Sequence, residues 1–343
     1  MHSGTRPMRW AAVAPFFTRP DSLWLDRFVT SPKHQVDVVC RPDSTSVDWH
    51  ARRTPTTGAA EWLTMHRHVG RAWTSQTDGI ITVFPQLAAI AGSRKWLTRS
   101  KRPIVAWCLN IGRLYTGARR TLARMALKSI DYFVVHSRRE CENYSEWYGL
   151  PRDRFEFVPL QRGFVEPTVG EEQQSPFILA MGSAHRDYRT LFEAVRPLGI
   201  RTVVVASPRY LDGLDVPSCV EFRTGLSHEE CSLLAQQARL NIVPISNEET
   251  ASGQVTVVEA MWLARTVIAT RCVGTEDYID SESDGYLVPR AQVEPLRERI
   301  RELWDDEALR TRIGRAARER ASACFSDQMA GTALTRILDR FAG

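Results

Sequence analysis

The fold is decided by residues 240–271, which read LNIVPISNEETASGQVTVVEAMWLARTVIATR. An apolar run over 240–245 is followed by a polar loop over 246–253, and residues 255–264 then form an apolar run too long for an ordinary strand. A run rich in β-branched residues, 266–271, comes next. This order predicts a strand, a loop, a helix and a second strand, which is the repeating unit of a parallel α/β sheet.

One carboxylate, Glu259, stands inside the apolar run of the predicted helix. Its neighbours one turn away carry no charge: they are Val255, Thr256, Trp262 and Leu263. Because burying an unpaired carboxylate is costly, the pattern predicts that Glu259 either meets water or receives a hydrogen-bonding ligand. A surface glutamate on a half-exposed helix is the alternative.

The start of the same helix is suited to an anion. Its first backbone amides, near Gly253, Gln254 and Val255, have no acceptor inside the helix, and the helix dipole adds positive potential there. Gly253 allows a bulky group to approach the backbone closely. Open parallel sheets place ligands beyond the carboxyl ends of their strands, so we expect an anion such as a diphosphate at this loop.

Length and composition narrow the class of protein. A chain of 343 residues has room for two domains, each with a substantial core. No apolar run reaches the roughly 18 residues of a membrane-spanning helix, and the run 10–17 is broken by Pro15, so we interpret it as the first strand of a cytoplasmic protein. The seven cysteines are scattered and never form a Cys-x-x-Cys pair, and no His-Glu-x-x-His occurs. We therefore predict reduced thiols, no metal held by the protein and no tightly bound cofactor.

Charge is divided unevenly along the chain. Residues 1–165 contain 25 Lys and Arg against 13 Asp and Glu, a net charge of +12, and the remainder contains 20 against 27, a net charge of −7. The basic residues of the first half gather at 94–102 and 113–128, the second set around Leu122 and Met125. Such a stretch suits an anionic membrane face or a polyanionic acceptor, and a solvated helix face explains the pattern equally well. Nucleic acid is not expected, because interleaved aromatic residues that stack on bases are missing.

Strand-like runs alternate with helical stretches in both halves of the chain. The first half has them at 11–17, 36–40, 79–84, 103–109 and 132–135. The second half has them at 177–181, 202–206, 220–222, 240–245 and 266–270. Ser227 and Glu230 form a capping box at a helix start. Helical sequence closes the chain at 293–304, 307–321 and 328–341.

A polar, proline-bearing segment over 166–176 has the composition of a linker. We therefore predict an amino-terminal domain over 1–165, a carboxyl-terminal domain over 166–325, and a final helix within 326–343 that returns towards the first domain. Two α/β domains joined in this way would enclose a cleft between the carboxyl ends of their sheets, which is the default site for a ligand.

Several motifs of the chain resemble those of a known protein family. The carrying motifs are Val243-Pro-Ile, Val258-Glu-Ala-Met261, 266–270, Gly274-Thr-Glu-Asp-Tyr278 and Asp284-Gly-Tyr-Leu-Val-Pro289, with Gly182 and Arg186 upstream. They are similar to the donor domain of retaining glycosyltransferases of family 4, the glycosyltransferase group 1 proteins. The match covers about the last 215 residues. The resemblance implies the GT-B fold, which is α/β with two Rossmann-like domains facing each other across a cleft.

The resemblance also implies roles for particular residues. Glu259 corresponds to a glutamate that binds the ribose hydroxyls of a nucleotide sugar, and Arg186 to a basic residue for the diphosphate. Gly182 corresponds to a small residue that lets phosphates or acceptor lie against the backbone. The expected donor site also includes Glu249, Ser252, Gly253, Gln254 and Val255. On the acceptor side the expected residues are Asn110 and Arg113. An ordinary ion pair with Asp187 is the alternative for Arg186.

One position departs from the family pattern. The first glutamate of its motif is replaced here by Ala251, with Glu248 and Glu249 displaced from it. Either one of these glutamates reaches the sugar, or the backbone of 251–253 holds it, or the chain has lost activity. The expected function is transfer of a sugar, with retention, from a nucleotide-diphosphate donor to a glycan or lipid-linked acceptor in cell-envelope synthesis, at the inner membrane face. An inactive nucleotide-sugar or glycan-binding subunit is the alternative, and a nucleotide-sugar 2-epimerase is a weaker third.

Overall fold

The structure, a computed structural model, describes residues 6–19, 22, 24–42 and 57–342. The chain divides into two compact units, one formed by Met1–Pro159 with Asp327–Gly343 and the other by Leu160–Ser326. The division after Pro159 comes earlier than the boundary predicted at 165, because Leu160 and Val165 already pack against the apolar core of the second unit.

The first unit contains a six-stranded sheet in which all neighbouring strands are parallel. The strands, β1 to β6, are Met8–Val13, His34–Val38, Gly79–Val83, Ile104–Trp107, Tyr132–Val135 and Phe155–Phe157. They stand in the order β2-β1-β3-β4-β5-β6. β3, β4 and β5 are buried throughout, as expected for a parallel sheet that helices cover on both faces.

β1 lies earlier in the chain than the strand predicted at 11–17. It begins at Met8, because Arg9, whose charge interrupts the apolar pattern, pairs with Asp37 of β2 at 2.7 Å. It ends at Val13, ahead of Pro15, which has no backbone N–H to donate to a neighbouring strand. The short edge strand β6 is not among the predicted strands.

Four helices follow strands of the first sheet in turn. They are α1 to α4: Ala59–Thr74, Pro85–Thr98, Gly117–Leu127 and Arg138–Tyr148. α2 and α3 approach closely, since a Cβ built on Gly92 would lie 2.1 Å from the carbonyl oxygen of Ala126. Only a glycine fits at that crossing.

The second unit repeats the architecture with a different strand order. Its strands, β7 to β12, are Ile178–Met181, Thr202–Val205, Val220–Arg223, Leu240–Val243, Val267–Thr270 and Tyr286–Val288. They are parallel and stand in the order β12-β11-β10-β7-β8-β9. The helices, α5 to α9, are Tyr188–Val195, His228–Gln237, Gln254–Trp262, Val293–Asp305 and Glu307–Cys324. The predicted strand, loop, helix and strand unit is confirmed as β10, α7 and β11, whereas β12 is not among the predicted strands.

The predicted capping box is also confirmed, at the start of α6. The amide of Ser227 donates to the Glu230 carboxylate at 2.7 Å, and the amide of Glu230 donates to Ser227 Oγ at 3.2 Å. Each residue therefore satisfies a backbone group that the helix itself leaves free.

The last helix, α10, spans Asp327–Asp339 and belongs to the first unit. Its apolar face, including Leu334 and Ile337, packs in the same core cluster as Trp10 and Trp107. Asp339 also accepts a hydrogen bond from His34 of β2 at 3.0 Å. The chain thus returns to its first sheet after completing the second.

None of the helices in the described ranges is both long enough and apolar enough to cross a bilayer. The described residues also contain no group of three or more His, Cys, Asp or Glu side chains arranged to hold a metal ion.

Candidate functional site

The order of strands in the second sheet marks one position for a ligand. From β7 the chain builds outward through β8 and β9, and it then crosses to the other side of β7 to build β10, β11 and β12. The direction of winding therefore reverses between β7 and β10. Loops that leave two such strands at their carboxyl ends diverge and open a crevice, which is where open α/β sheets bind ligands.

The two loops at this reversal are joined by backbone hydrogen bonds. Arg186 and Ile245 form an antiparallel bridge. The amide of Asp187 donates to the carbonyl of Pro244 at 3.0 Å, and the amide of Ser246 donates to that of His185 at 2.9 Å. The position of Arg186 is therefore fixed by the backbone and does not depend on side-chain contacts alone.

The guanidinium of Arg186 is held by three neutral acceptors. Nε donates to the carbonyl of Met181 at 2.9 Å, one terminal nitrogen to the carbonyl of Ala184 at 2.8 Å, and the other to Thr256 Oγ1 at 3.2 Å. Burial lowers the pKa of the Arg186 guanidinium from its ordinary value, although an arginine stays charged at neutral pH. Within the described ranges no carboxylate forms an ion pair with it. The charge is thus positioned but not neutralised.

Asp187, the alternative partner predicted for Arg186, has another role. Its carboxylate accepts hydrogen bonds from the amide of Thr190 at 3.1 Å and from Thr190 Oγ1 at 2.7 Å. It therefore caps the start of α5. The interpretation of Arg186 as one half of a local ion pair is wrong.

Gly182 provides space for Arg186. Its φ is +115°, and a Cβ at this position would lie 2.4 Å from a terminal nitrogen of the Arg186 guanidinium. The resemblance predicts that phosphates or an acceptor lie against this glycine. In the structure the side chain of Arg186 lies against that glycine.

The start of α7 lies against this arginine, since Thr256 of its first turn accepts the hydrogen bond described above. The residue before the helix is Gly253, whose φ is +89°, and no side chain caps the helix. Two polar atoms beside it, Ser252 Oγ and Gln254 Nε2, are buried and have no hydrogen-bond partner among the residues that the structure describes. Buried polar groups are normally satisfied, so these two atoms make the start of α7 a candidate position for a ligand.

A second loop closes on the same point. Gly274, after β11, packs so tightly on Ser252 that an added Cβ would lie 2.3 Å from the Ser252 amide nitrogen. Thr275 keeps this loop compact, because its hydroxyl donates to the carbonyl of Thr270 at 2.5 Å and accepts from the amide of Cys272 at 3.1 Å. The loops that follow β10 and β11 are thus in contact at Ser252 and Gly274.

Glu259 lies one and a half turns into α7 and is buried, with 7% of its surface exposed. This excludes the interpretation of Glu259 as a surface residue. The carboxylate does have a partner that the local pattern does not reveal: a terminal nitrogen of Arg162 lies 3.4 Å from Oε2 and also 3.3 Å from His228 Nε2. Arg162 comes from the segment that precedes the linker, 97 positions away in sequence. The 3.4 Å separation is longer than an ordinary charge-assisted hydrogen bond.

The loop before α7 contains the residues named in the alternatives for the missing glutamate. Ala251 is buried. Glu248 does not reach inward, because it forms a surface ion pair with Arg290 at 2.5 Å. Glu249 is exposed, and its amide donates to Asn247 Oδ1 at 3.0 Å, which folds the loop back on itself. Val255, the remaining predicted donor residue, exposes its side chain.

The two predicted acceptor residues lie in the first unit, after β4. Asn110 is half-buried and its Oδ1 accepts from the amide of Gly112 at 2.9 Å, so the side chain shapes a turn. Arg113 is exposed. His136, directly after β5, is buried and its Nδ1 donates to the carbonyl of Val158 at 2.7 Å.

Comparison with known proteins finds glycosyltransferases. Residues 211–320, which include α7 and both of its loops, match the family described as glycosyl transferases group 1. Over 102 residues the chain is 28% identical to the capsular polysaccharide biosynthesis glycosyltransferase CapM of Staphylococcus aureus. That match covers 30% of this chain and 27% of the relative.

Solved structures resemble the chain over almost its whole length. A glycosyltransferase from Rickettsia africae superposes with a TM-score of 0.70 at 15% identity, covering 97% of this chain and 98% of the other. HepE of Anabaena, solved in complex with UDP and glucose, gives 0.68 at 12% identity, covering 97% and 100%. Sucrose-phosphate synthase of Thermosynechococcus elongatus gives 0.68 at 15% identity, covering 98% and 99%. At these identities the likeness establishes the fold, and the predicted GT-B class with two Rossmann-like domains is confirmed.

Proposed function

We propose that the chain is a retaining glycosyltransferase of family 4, which moves a sugar from a nucleotide-diphosphate donor to a hydroxyl of a glycan or lipid-linked acceptor. The observation that carries the proposal is the contact between Arg186 and Thr256. It joins an unneutralised guanidinium to the uncapped start of α7 at the reversal point of a parallel sheet. A diphosphate is the ligand whose charge and size match both groups.

The leaving group explains why such an arrangement would accelerate transfer. As the bond between the anomeric carbon and the phosphate oxygen breaks, negative charge grows on the diphosphate. Arg186 and the first amides of α7 are already oriented towards that charge, so little reorganisation is needed in the transition state.

Glu259 would bind the nucleoside. A carboxylate accepts hydrogen bonds from two adjacent hydroxyls, which is the pattern that a ribose presents. Arg162 contacts the carboxylate from one side, at 3.4 Å. The sugar itself would contact the backbone of 251–253, because Ala251 has no polar side chain and Glu248 is engaged with Arg290.

Retention follows if the acceptor enters from the face that the diphosphate leaves. The acceptor oxygen bonds to the anomeric carbon while the bond to the phosphate oxygen breaks, and the hydroxyl proton passes to the departing phosphate oxygen. No side chain of the protein is required as a nucleophile in this scheme. Proton NMR of a freshly formed product tests it, since the anomeric coupling constant must match that of the donor, and inversion would contradict it.

The acceptor is proposed from two facts of different kinds. CapM, to which part of this chain is similar, is a capsular polysaccharide glycosyltransferase, and the first half of the chain carries a net charge of +12. Both favour an anionic or lipid-linked glycan of the cell envelope as the acceptor.

A donor-binding subunit without turnover is the second candidate, and Ala251 is the observation that favours it. The experiment that separates the two begins with a thermal-shift screen of UDP-, GDP- and ADP-sugars, because a ligand bound only by the folded chain raises its melting temperature. The selected donor is then incubated with the protein and release of nucleoside diphosphate is measured. Slow hydrolysis supports the enzyme, and binding without release supports the subunit. Absence of both binding and hydrolysis would contradict the assignment of this site.

A further inference from the structure

The first unit carries a long stretch of chain without any acidic residue. Between Asp78 and Asp131 the 52 residues of 79–130 contain ten Lys and Arg and no Asp or Glu. This segment comprises β3, α2, β4 and α3, so its charge is concentrated on one part of the unit. A surface of this kind attracts an anionic partner over distances of about a Debye length.

Most of these cations form no ion pair within the described part of the chain. Lys95 pairs with Asp131 at 2.6 Å, Arg102 donates to the carbonyl of Trp73 at 2.8 Å, and Arg120 donates to that of Trp147 at 2.7 Å. Six others are exposed and form no ion pair with any residue that the structure describes: Arg99, Lys101, Arg113, Arg119, Arg124 and Lys128. Their charge is available to a ligand outside the chain.

Large apolar side chains are exposed among these cations. Trp96 and Leu97, in the last turn of α2, are 62% and 71% exposed, and Leu122 and Met125 of α3 are 65% and 53% exposed. Within α3 the buried residue is Leu127 alone. A single exposed leucine needs no explanation, but four large apolar residues on two adjacent helices indicate an interaction surface.

Each apolar pair lies within about a turn and a half of the place where α2 and α3 touch. α2 and α3 touch at Gly92 and Ala126. Trp96 lies one helical turn after Gly92, on the same side of α2, and Leu122 lies one turn before Ala126 on α3. Leu122 and Met125 are three residues apart and therefore share a face.

We propose that this surface docks on an anionic phospholipid bilayer, with Trp96, Leu97, Leu122 and Met125 entering the interface and the surrounding cations contacting lipid phosphates. Charge complementarity selects this occupant. A second copy of the chain would bring the same unpaired cations face to face, and a purely polyanionic ligand would give the exposed apolar residues no place to be buried. Tryptophan favours the headgroup region, and Lys and Arg extend from it towards phosphate. The proposal does not depend on the sugar-transfer function.

The test is co-sedimentation of the full chain with vesicles, without any donor present. Vesicles of phosphatidylcholine alone are compared with vesicles containing an equal amount of phosphatidylglycerol, at low salt and at about 1 M salt, where the Debye length falls to about 3 Å. We expect binding to the anionic vesicles only, reduced at high salt. The double variant Trp96→Ser with Leu97→Ser and the variant Arg119→Glu should each weaken it by about tenfold.

Matched controls come from the second unit. Val216→Ser with Leu233→Ser removes exposed apolar side chains there, and Arg189→Glu reverses an exposed charge. These variants should bind vesicles like the wild type, and melting temperatures verify that all variants fold. Failure to sediment, equal sedimentation with both vesicle types, or wild-type binding by the Trp96 and Leu97 variant would each overturn the proposal. If the Trp96 and Leu97 variant binds vesicles like the wild type and polyuridine displaces the protein from them, the partner is a polyanion instead. If that variant loses a self-association that the wild type shows in sedimentation velocity, the partner is a second copy of the chain.

Discussion

The two units share an architecture but use the reversal point of their sheets differently. In the first sheet the winding reverses between β1 and β3, where the chain presents Phe16, Phe17 and Phe84, with ring centroids of Phe16 and Phe84 6.4 Å apart. In the second it reverses between β7 and β10, where Arg186 and the start of α7 meet. One reversal point is lined with aromatic rings and the other with hydrogen-bond donors.

The helix starts show the same contrast. α2 begins with Pro85, which has no amide hydrogen, directly after Phe84, a non-glycine residue with a φ of 79°. α7 begins after Gly253 and keeps its first amides free. The comparison teaches that the fold supplies a position for a ligand, while a few residues at the helix start decide whether an anion can bind there.

The largest effect is expected when the charge is removed from the reversal point of the second sheet, between β7 and β10. We expect Arg186→Ala to lower turnover by about 10²–10³-fold, because the leaving group loses its fixed cation. Arg189→Ala, which removes an exposed arginine of α5, is the matched control and should turn over like the wild type. Steady-state release of nucleoside diphosphate measures both. Wild-type turnover in Arg186→Ala would refute the site.

Gly182→Ala displaces the same charge without removing it. The new Cβ would lie 2.4 Å from the guanidinium, and the φ of +115° is unfavourable for alanine. We expect a loss of about 1–3 kcal/mol in the free energy of unfolding together with a large loss of turnover. Gly199→Ala is the control, because its φ is +62° with open space around it. It should lose stability and retain turnover, whereas equal turnover in both variants would contradict the role of Gly182.

Much of the structure behind this contrast is predicted from the sequence, and each part that is not predicted has a physical reason. The unit β10, α7 and β11 follows from the apolar periods of 240–271, and the capping box at Ser227 follows from local hydrogen bonding. β12 is not predicted from the sequence because its three residues, Tyr286–Val288, become a strand only by pairing with β11. Arg162 is not predicted as a partner of Glu259 because the contact joins segments that are far apart in sequence. The relation between Gly182 and Arg186 depends on one backbone angle that no residue pattern encodes.

Acidification should change the stability of the two units in opposite directions. Burial lowers the pKa of His136 from 6.5 to about 4, so the unfolded chain takes up this proton first and the stabilisation, complete above pH 6.5, is lost as the pH falls. Burial raises the pKa of Asp284 from 3.8 to about 6, so the folded chain takes up that proton first and stability is lost as the pH rises through this range.

Between pH 7 and pH 5 we therefore expect the first unit to lose about 2 kcal/mol and the second to gain about 1 kcal/mol. Hydrogen-exchange protection factors of β5 and β12 amides measure the two effects separately. His136→Phe should flatten the first trend and Asp284→Asn the second. Parallel trends in both units would contradict this assignment of the buried groups.

The smallest effect is expected at Arg162. Its ion pair with Glu259 is long, at 3.4 Å, and Arg162 is 31% exposed, so Arg162→Ala should weaken nucleoside binding about two- to fivefold. Arg318→Ala, which breaks an ion pair with Glu166 in the same unit, is the control and should leave binding unchanged. In a double-mutant cycle with Glu259→Gln the losses should not add, because both act on one carboxylate. Strict additivity would show that Arg162 acts elsewhere.

The central claim is that Arg186 and the start of α7 hold a diphosphate while Glu259 holds the attached nucleoside. Isothermal titration calorimetry tests it most directly, with the nucleoside diphosphate selected by thermal shift and the corresponding nucleoside as paired ligands. We predict that Arg186→Ala abolishes the advantage of the diphosphate over the nucleoside, and that Glu259→Gln weakens both ligands equally. If Arg186→Ala binds the diphosphate as tightly as the wild type, the phosphates lie elsewhere and the claim is wrong.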